Sequence, residues 1–275
     1  MQNRQEIANV SGLDPVWTRI QDEARSMVAD EPRLAGLVHA SVLNRRNFED
    51  ALCYRLGQKL ASGEMTEGLV REILIEAHED DPTLGQAARA DAVAVLERDP
   101  ACHRLIQPLM FFKGFQAVQA YRVAHRLWHR GRVDMAYFLQ MRTSEVFGVD
   151  IHPGAVIGRG IMIDHAHSIV IGETARVGDN VSMLHSVTLG GTGKEDGVRH
   201  PKIGDGVLIG AGAAILGNIE VGHCSRIAAG SVVLVEVPPC KTVAGVPARI
   251  VGEAGCDQPA QSMNHLLMER STLDE

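Results

Sequence analysis

Between residues 150 and 200 the chain gathers five histidines, His152, His165, His167, His185 and His200, with Asp150 just before the first and Asp164 directly before His165. An imidazole oriented by a carboxylate keeps one tautomer, gains basicity and can take a proton from a hydroxyl. Spacing does not decide which aspartate serves which histidine. Arg199-His200-Pro201 adds a guanidinium beside an imidazole, a pairing suited to a carboxylate because arginine donates two parallel hydrogen bonds. Gly190-Gly191-Thr192-Gly193-Lys194 offers backbone amides for a phosphate or an amide, without the GxxxxGK[ST] spacing of a phosphate loop. The chain contains no GxSxG and sets no cysteine in a recognisable Cys–His arrangement. Direct transfer to a hydroxyl therefore fits better than a covalent acyl-enzyme.

These residues lie on a repeat. Aliphatic side chains recur every six positions at Ile151, Ile157, Ile163, Ile169, Val181 and Val187, with Ala175 filling the remaining slot. After a break the period resumes at Ile203, Ile209, Ile215, Val221, Ile227 and Val233. A period of six fits neither a helix nor an ordinary strand. It predicts a solenoid in which three short strands close one triangular coil, so that residues 18 apart stack on neighbouring coils. On that count His167 and His185 stack. No Phe, Tyr or Trp follows Phe147, as a narrow prism filled by Ile, Val and Ala requires. The interval from Val187 to Ile203 breaks the period and expels a loop over residues 190–201, where function concentrates on an otherwise regular scaffold.

Residues 1–147 read as helical. Asp14-Pro15, Asn47, Thr66 and Asp81-Pro82-Thr83 mark helix starts, and Arg98-Asp99-Pro100 marks a stop. Helices are also expected from Phe112 to Arg130, stopped by Gly131, and from Val133 to Phe147. The expected division is a helical domain over 1–147, a solenoid over 148–251 and a mobile polar tail over 252–275. Pro238-Pro239 reads as the end of the repeats.

A net charge of −7 with no Lys/Arg run argues against nucleic acid. The absence of an apolar leader or an 18-residue apolar run argues against secretion and a membrane span. Five scattered cysteines without a CxxC pair suit a reducing cytoplasm.

The hexapeptide repeat resembles the left-handed parallel β-helix acyltransferases. More narrowly, Val149-Asp150-Ile151-His152-Pro153, Ile163-Asp164-His165-Ala166, Ser186 to Lys194, Arg199 to Ile203 and Ala244 to Arg249 resemble the serine O-acetyltransferase family. Arg98-Asp99-Pro100, Lys113-Gly114-Phe115 and Gln119-Ala120-Tyr121-Arg122 resemble its N-terminal part. The resemblance covers roughly residues 13–252. It implies an α+β chain with an all-helical N-terminal domain and a left-handed parallel β-helix. It also implies acetyl transfer from acetyl-CoA to L-serine, the first step of cysteine synthesis, with L-cysteine as a feedback inhibitor. Carried over by position, His165 is the general base and Asp150 orients it. Asp99 and Asp164 hold the substrate ammonium, and Arg199 and His200 hold its carboxylate. Backbone near Gly191, Thr192, Ala211 and Ala229 receives the CoA, no metal is implied, and the sites fall at subunit borders of a trimer or a dimer of trimers.

Two departures from the family stand out. Its tail often ends in an isoleucine that docks into O-acetylserine sulfhydrylase, whereas this chain ends Ser271-Thr272-Leu273-Asp274-Glu275. That partner is expected only if the sequence is truncated or Leu273 substitutes. His167 and His185 stand where the family is expected to carry Thr and Gln, either as a neutral polar ladder or as a pH-sensitive or metal-binding pair. Competing readings are a hexapeptide transferase for another acceptor such as homoserine, a γ-type zinc carbonic anhydrase using His165, His167 and His185, and a scaffold without catalysis.

Overall fold

The computed structural model describes residues 14–193, 196–255 and 258–265. Helix α1 (Pro15–Asp30) begins where the Asp14 carboxylate accepts a hydrogen bond from the Trp17 amide at 3.1 Å. Such a cap satisfies an amide that the helix itself cannot. Helix α2 (Ala35–Val38) lies between a 3-10 turn (Pro32–Leu34) and a π turn (His39–Leu43), a segment without a readable apolar stripe. Asn47 caps α3 (Phe48–Leu60) through the Asp50 amide at 2.9 Å. Helix α4 (Glu67–Asp80) follows Thr66, and α5 (Thr83–Arg98) follows Asp81, whose carboxylate accepts from the Thr83 amide at 3.0 Å. The short α6 (Ile106–Met110) was not legible in the sequence, whereas α7 (Lys113–His129) and α8 (Val133–Phe147) lie where expected. Gly148, with φ +70°, turns the chain out of α8 in the left-handed region that glycine adopts without strain.

From Val149 onward the chain winds through three parallel sheets. The first holds β1 (Val149–Ile151), β4 (Ile169–Ile171), β7 (Thr188–Gly190), β10 (Ala214–Leu216) and β13 (Val232–Val233). The second holds β2 (Val156–Ile157), β5 (Arg176–Val177), β8 (Lys202–Ile203) and β11 (Glu220–Val221). The third holds β3 (Met162–Ile163), β6 (Ser182–Met183), β9 (Leu208–Ile209), β12 (Arg226–Ile227), β14 (Lys241–Gly245) and β15 (Ala248–Glu253). This is the β-helix that the six-residue period predicted.

The register corrects the period in detail. Val149 pairs with Ile169, 20 residues on, whereas Val170 pairs with Thr188, 18 residues on. Two extra residues therefore enter the first coil. Below them Ile171, Val177, Met183 and Leu189 take the places that Ile151, Ile157 and Ile163 open above. Ile169, Ala175, Val181 and Val187 are also buried, but in the second inward position that Ala155 and Ile161 occupy in the first coil. Two inward sites per hexapeptide let an aliphatic period of six run unbroken across a two-residue insertion. At the predicted loop, Thr188 pairs with Ala214, a coil of 26 residues.

The solenoid does not stop at Pro238-Pro239. Strand β14 still pairs parallel with β12, through Arg226 and Thr242, before β15 folds back antiparallel. The prolines sit in a corner, where no ladder amide is lost. The tail expected from residue 252 is also partly corrected. Strand β15 runs to Glu253, and α9 (Pro259–Ser262) packs Ala260 with no exposure, its carbonyl accepting from Ser182 Oγ at 2.9 Å. Met263 joins a cluster with Val95, Cys102 and Met162. Burial of those apolar groups offsets the polarity that argued for a loose tail. Leu266, Leu267 and Met268, expected to extend an amphipathic turn, lie outside the described residues.

One apolar core runs through helices and solenoid. Polar anchors fix their relation. Along α7, Tyr121 donates to the Ala155 carbonyl, Arg122 to those of Gly158 (2.6 Å) and Ile157 (3.3 Å), and His125 Nδ1 to that of Pro153 at 2.7 Å. Arg122 also grips Asp91 of α5, which is fully buried and accepts from Gln119 and from the Ile161 amide. At the first turn of α7, Gly114 lies so close to the first coil that a methyl group would overlap the Ile163 carbonyl oxygen.

Candidate active site

Equivalent residues of successive coils line up at each corner. At the corner between the third and first sheets, the Asp164, Leu184 and Gly210 amides donate to the carbonyls of Met183, Ile209 and Ile227. A few residues on, the Ser186, Gly212 and Gly230 amides donate to the carbonyls of His167, His185 and Ala211. Ser168, Ser186, Gly212 and Gly230 then hold the left-handed corner position, with φ from 54° to 70°. Between these aligned columns the first coil carries two residues with no counterpart below, His165 and Ala166, also left-handed at φ 57° and 50°. A left-handed non-glycine residue costs about 1–2 kcal/mol. Such strain persists where the surroundings impose it, and it gathers at functional sites. Here the imposing contact is Ala166, fully buried against Gly114 of α7.

The insertion lifts the His165 side chain out of the wall, leaving it 69% exposed with Nε2 3.5 Å from Asp164 Oδ2. Its ring stands edge-on to that of His185, centroids 5.8 Å apart. His167 turns instead to Lys113, whose Nζ lies 3.0 Å from Nδ1. An ammonium can only donate, so Nδ1 accepts and the His167 proton sits on Nε2. The expected His167–His185 stack thus holds for the backbones alone; their rings have different partners. Ala211 and Ala229 continue the same corner downward from His185.

Asp99 caps α5 and accepts from the Ala101 amide at 2.8 Å. Its flanking residues Val95 and Cys102 pack on Met162, at the start of the strand that leads into Asp164. Arg98 clamps this turn to the coil through the Gly160 carbonyl (2.9 Å), Ser182 Oγ (3.1 Å) and Asn180 Oδ1 (3.2 Å). Asp164 and His165 thus share one corner, and Asp99 lies in the turn after α5 that packs on Met162, two residues before Asp164.

Arg199 and His200 are not brought there. They lie at the corner between the first and second sheets, beyond the whole width of the first sheet. Arg199 Nη2 pairs with Glu173 Oε2 at 2.6 Å, which holds the Glu173 carboxyl below the usual range. The Thr174 amide donates to His200 Nδ1 at 3.2 Å, so the His200 proton is on Nε2. Thr174 Oγ1 accepts from the Arg199 and His200 amides at 3.0 and 3.2 Å. Gly172 is required beneath the His200 ring, because a methyl group would overlap it. Gly191 and Thr192 leave β7 at this same corner, away from Ala211 and Ala229; Lys194 and Glu195 of the loop lie outside the described residues.

Asp150 lies on β1, accepting from Gln140 Nε2 at 2.7 Å in an open cleft of about 710 Å³ also lined by Tyr137, Met141 and His152. Among the described residues it makes no ion-pair contact within 4.0 Å of His165. Glu173, Thr174 and Gln140 escaped the sequence reading, and Lys113 was read as part of a motif but not as a partner of His167. Only the register across the expelled loop brings Glu173 to Arg199, and no local motif marks it.

Burial pushes the pKa of His78, His125, His152 and His200 down. The folded state then binds fewer protons than the unfolded state once pH falls below about 6.5, the ordinary histidine value. Stability is full above that pH and declines below it. The melting temperature is expected to fall steadily on titration from pH 7 towards about 5.5, in scanning calorimetry at constant ionic strength. A flat profile over that range contradicts neutral buried histidines.

Among the described residues no helix is long and apolar enough to cross a membrane, and no group of three or more His, Cys, Asp or Glu is placed to hold a metal ion.

Comparison with known proteins agrees with the geometry. The profile "Serine acetyltransferase, N-terminal" matches residues 16–120, and "Bacterial transferase hexapeptide (six repeats)" matches residues 200–234. The serine acetyltransferase of Salmonella typhimurium is 55% identical over 252 residues, 92% of each chain. A serine acetyltransferase solved in complex with cysteine superposes with a TM-score of 0.90 at 49% identity, over 91% of this chain and 98% of that one. The enzyme of Brucella abortus in complex with coenzyme A gives 0.87 at 50% identity, over 89% and 98%. With the helical half and the β-helix both matched at this level, the chain belongs to the serine acetyltransferase family.

Proposed function

We propose that the chain transfers the acetyl group of acetyl-CoA to the hydroxyl of L-serine, giving O-acetyl-L-serine and CoA. The observation that carries this reading is His165, raised on a two-residue insertion beside Asp164 at a corner continued by Ala211 and Ala229. The His165 imidazole takes the serine hydroxyl proton as the oxygen attacks the thioester carbonyl. The tetrahedral oxyanion collapses, the C–S bond breaks, and the imidazolium returns the proton to the departing thiolate. Asp99 and Asp164 take the substrate ammonium. Ala211 and Ala229 of one copy and Gly191 and Thr192 of a second copy flank the CoA, and no metal takes part.

Arg199 and His200 take the substrate carboxylate from a second copy of the chain. The supporting observation is their place at another corner, with Arg199 already aimed by Glu173. A closed trimer, or two such trimers joined through the helical residues 1–147, brings the two corners together. In that assembly Asp150 orients His165. L-cysteine, with the ammonium and carboxylate of serine, occupies the same groups and inhibits. The protein works in the cytoplasm. Docking of O-acetylserine sulfhydrylase would rest on residues after 265, which lie outside the described residues.

The test is thiol release from acetyl-CoA with L-serine, L-homoserine or no acceptor, with and without L-cysteine. Release that requires serine and falls with cysteine is expected. Release only with homoserine replaces the acceptor, and no release from a folded oligomer overturns the reading. Arg199→Lys is expected to raise the serine KM at least about tenfold, with kcat little changed, because a point charge replaces a bidentate fork. An unchanged KM removes Arg199 from the carboxylate site.

A further inference from the structure

His185 has no part in the mechanism above, yet it is the side chain that stands against the base. Its ring lies edge-on to His165, at 77° and 5.8 Å between centroids. The insertion that carries His165 leaves that side chain largely exposed, with Asp164 at 3.5 Å as its one ionic contact among the described residues. An exposed imidazole on a bulge samples several orientations unless something packs on it. The main chain of His185 is held at the corner. Its carbonyl accepts from Gly212, and its Nδ1 is buried without a hydrogen-bond partner. A ring nitrogen left buried and unpaired is poor design for a surface polar residue; the ring pays its way through the face or edge it presents.

We propose that His185 is a positioning residue for His165: its edge-to-face ring contact fixes the orientation of the base. Aromatic pairs favour this T-shaped arrangement. The charged and titratable groups around the pair are Asp164, then Lys113 with His167 across the insertion, then Arg226 and His265 on the far side of Asp164. None of them hydrogen-bonds to His185. The proposal rests on His165 being the base, so the His165→Ala variant is measured in parallel.

The experiment compares kcat, KM and the pH profile of kcat/KM for His185→Ala, His185→Gln and His185→Phe in the assembled enzyme. Phenylalanine keeps a flat ring and removes the unpaired nitrogen. Alanine and glutamine are expected to lower kcat by about tenfold with both KM values unchanged, since misplacement of a reacting group acts on the chemical step. Phenylalanine is expected to restore kcat to within about twofold and to leave the acidic limb of the profile in place. Wild-type kcat in the alanine and glutamine variants overturns the proposal. So does a phenylalanine variant as slow as alanine, or one whose acidic limb moves, because the ring would then act by titrating. If His165→Ala keeps its activity, the assignment of the base fails instead. Thermal melts of the three variants identify any loss that is only structural.

Discussion

Replacing His165 with alanine is expected to lower kcat by about 10²–10⁴-fold, the usual contribution of a positioned general base. The KM values for serine and acetyl-CoA are expected to change little, because the groups assigned to substrate binding remain in place. The fold is expected to survive. The side chain is mostly solvent-exposed, and among the described residues its ion-pair and ring contacts are those with Asp164 and His185. Alanine already occupies the left-handed region at neighbouring Ala166. Steady-state thiol release with a parallel melt separates the outcomes. A variant within tenfold of wild type, still folded, contradicts the assignment of the base.

Arg122→Ala is expected to give the largest loss of stability, about 3–5 kcal/mol. Asp91 is fully buried, and Arg122 supplies two of its hydrogen bonds, from Nε at 3.0 Å and Nη2 at 2.8 Å. Without the guanidinium a carboxylate is left uncompensated in the interior, and the carbonyls of Ile157 and Gly158 lose their donors. For a chain of this size the melting temperature is expected to drop by roughly 10 °C. The double variant Asp91→Asn, Arg122→Met is expected to recover part of the loss, because it removes the charge together with its partner. A single-variant loss below about 1 kcal/mol would mean that Asp91 takes up a proton or reaches water instead. The effect reaches the site as well. Helix α7 presses Gly114 on the Ile163 carbonyl and directs Lys113 to His167, on either side of the insertion that holds His165.

The elements were largely legible because their signals are local. Asp14, Asn47 and Asp81 each use their carboxylate or amide oxygen at a helix start, where backbone amides need an acceptor. The six-residue period announced the β-helix, since each coil repeats the same inward demand for aliphatic groups. The segments missed, Pro32–Leu43 and Ile106–Met110, carry no stripe of helical spacing long enough to read. The docking of α9 was missed because its partner, Ser182, lies far along the chain.

At the site the division is sharper. The sequence by itself determined which residues are available: His165 beside Asp164, Arg199 beside His200, and Asp99 after Arg98, all identifiable from adjacent motif residues. Only the tertiary structure decided who meets whom. The insertion of His165 and Ala166 is invisible to an aliphatic period that shifts between two equivalent inward positions. Register across unequal coils pairs Glu173 with Arg199 and His185 with His165. The same winding places His165 and Arg199 on different corners of one prism, because a strand of fixed length separates them. Contacts between residues 20 to 26 apart depend on how many residues each coil contains, and that number is set by packing against α7 and by the expelled loop.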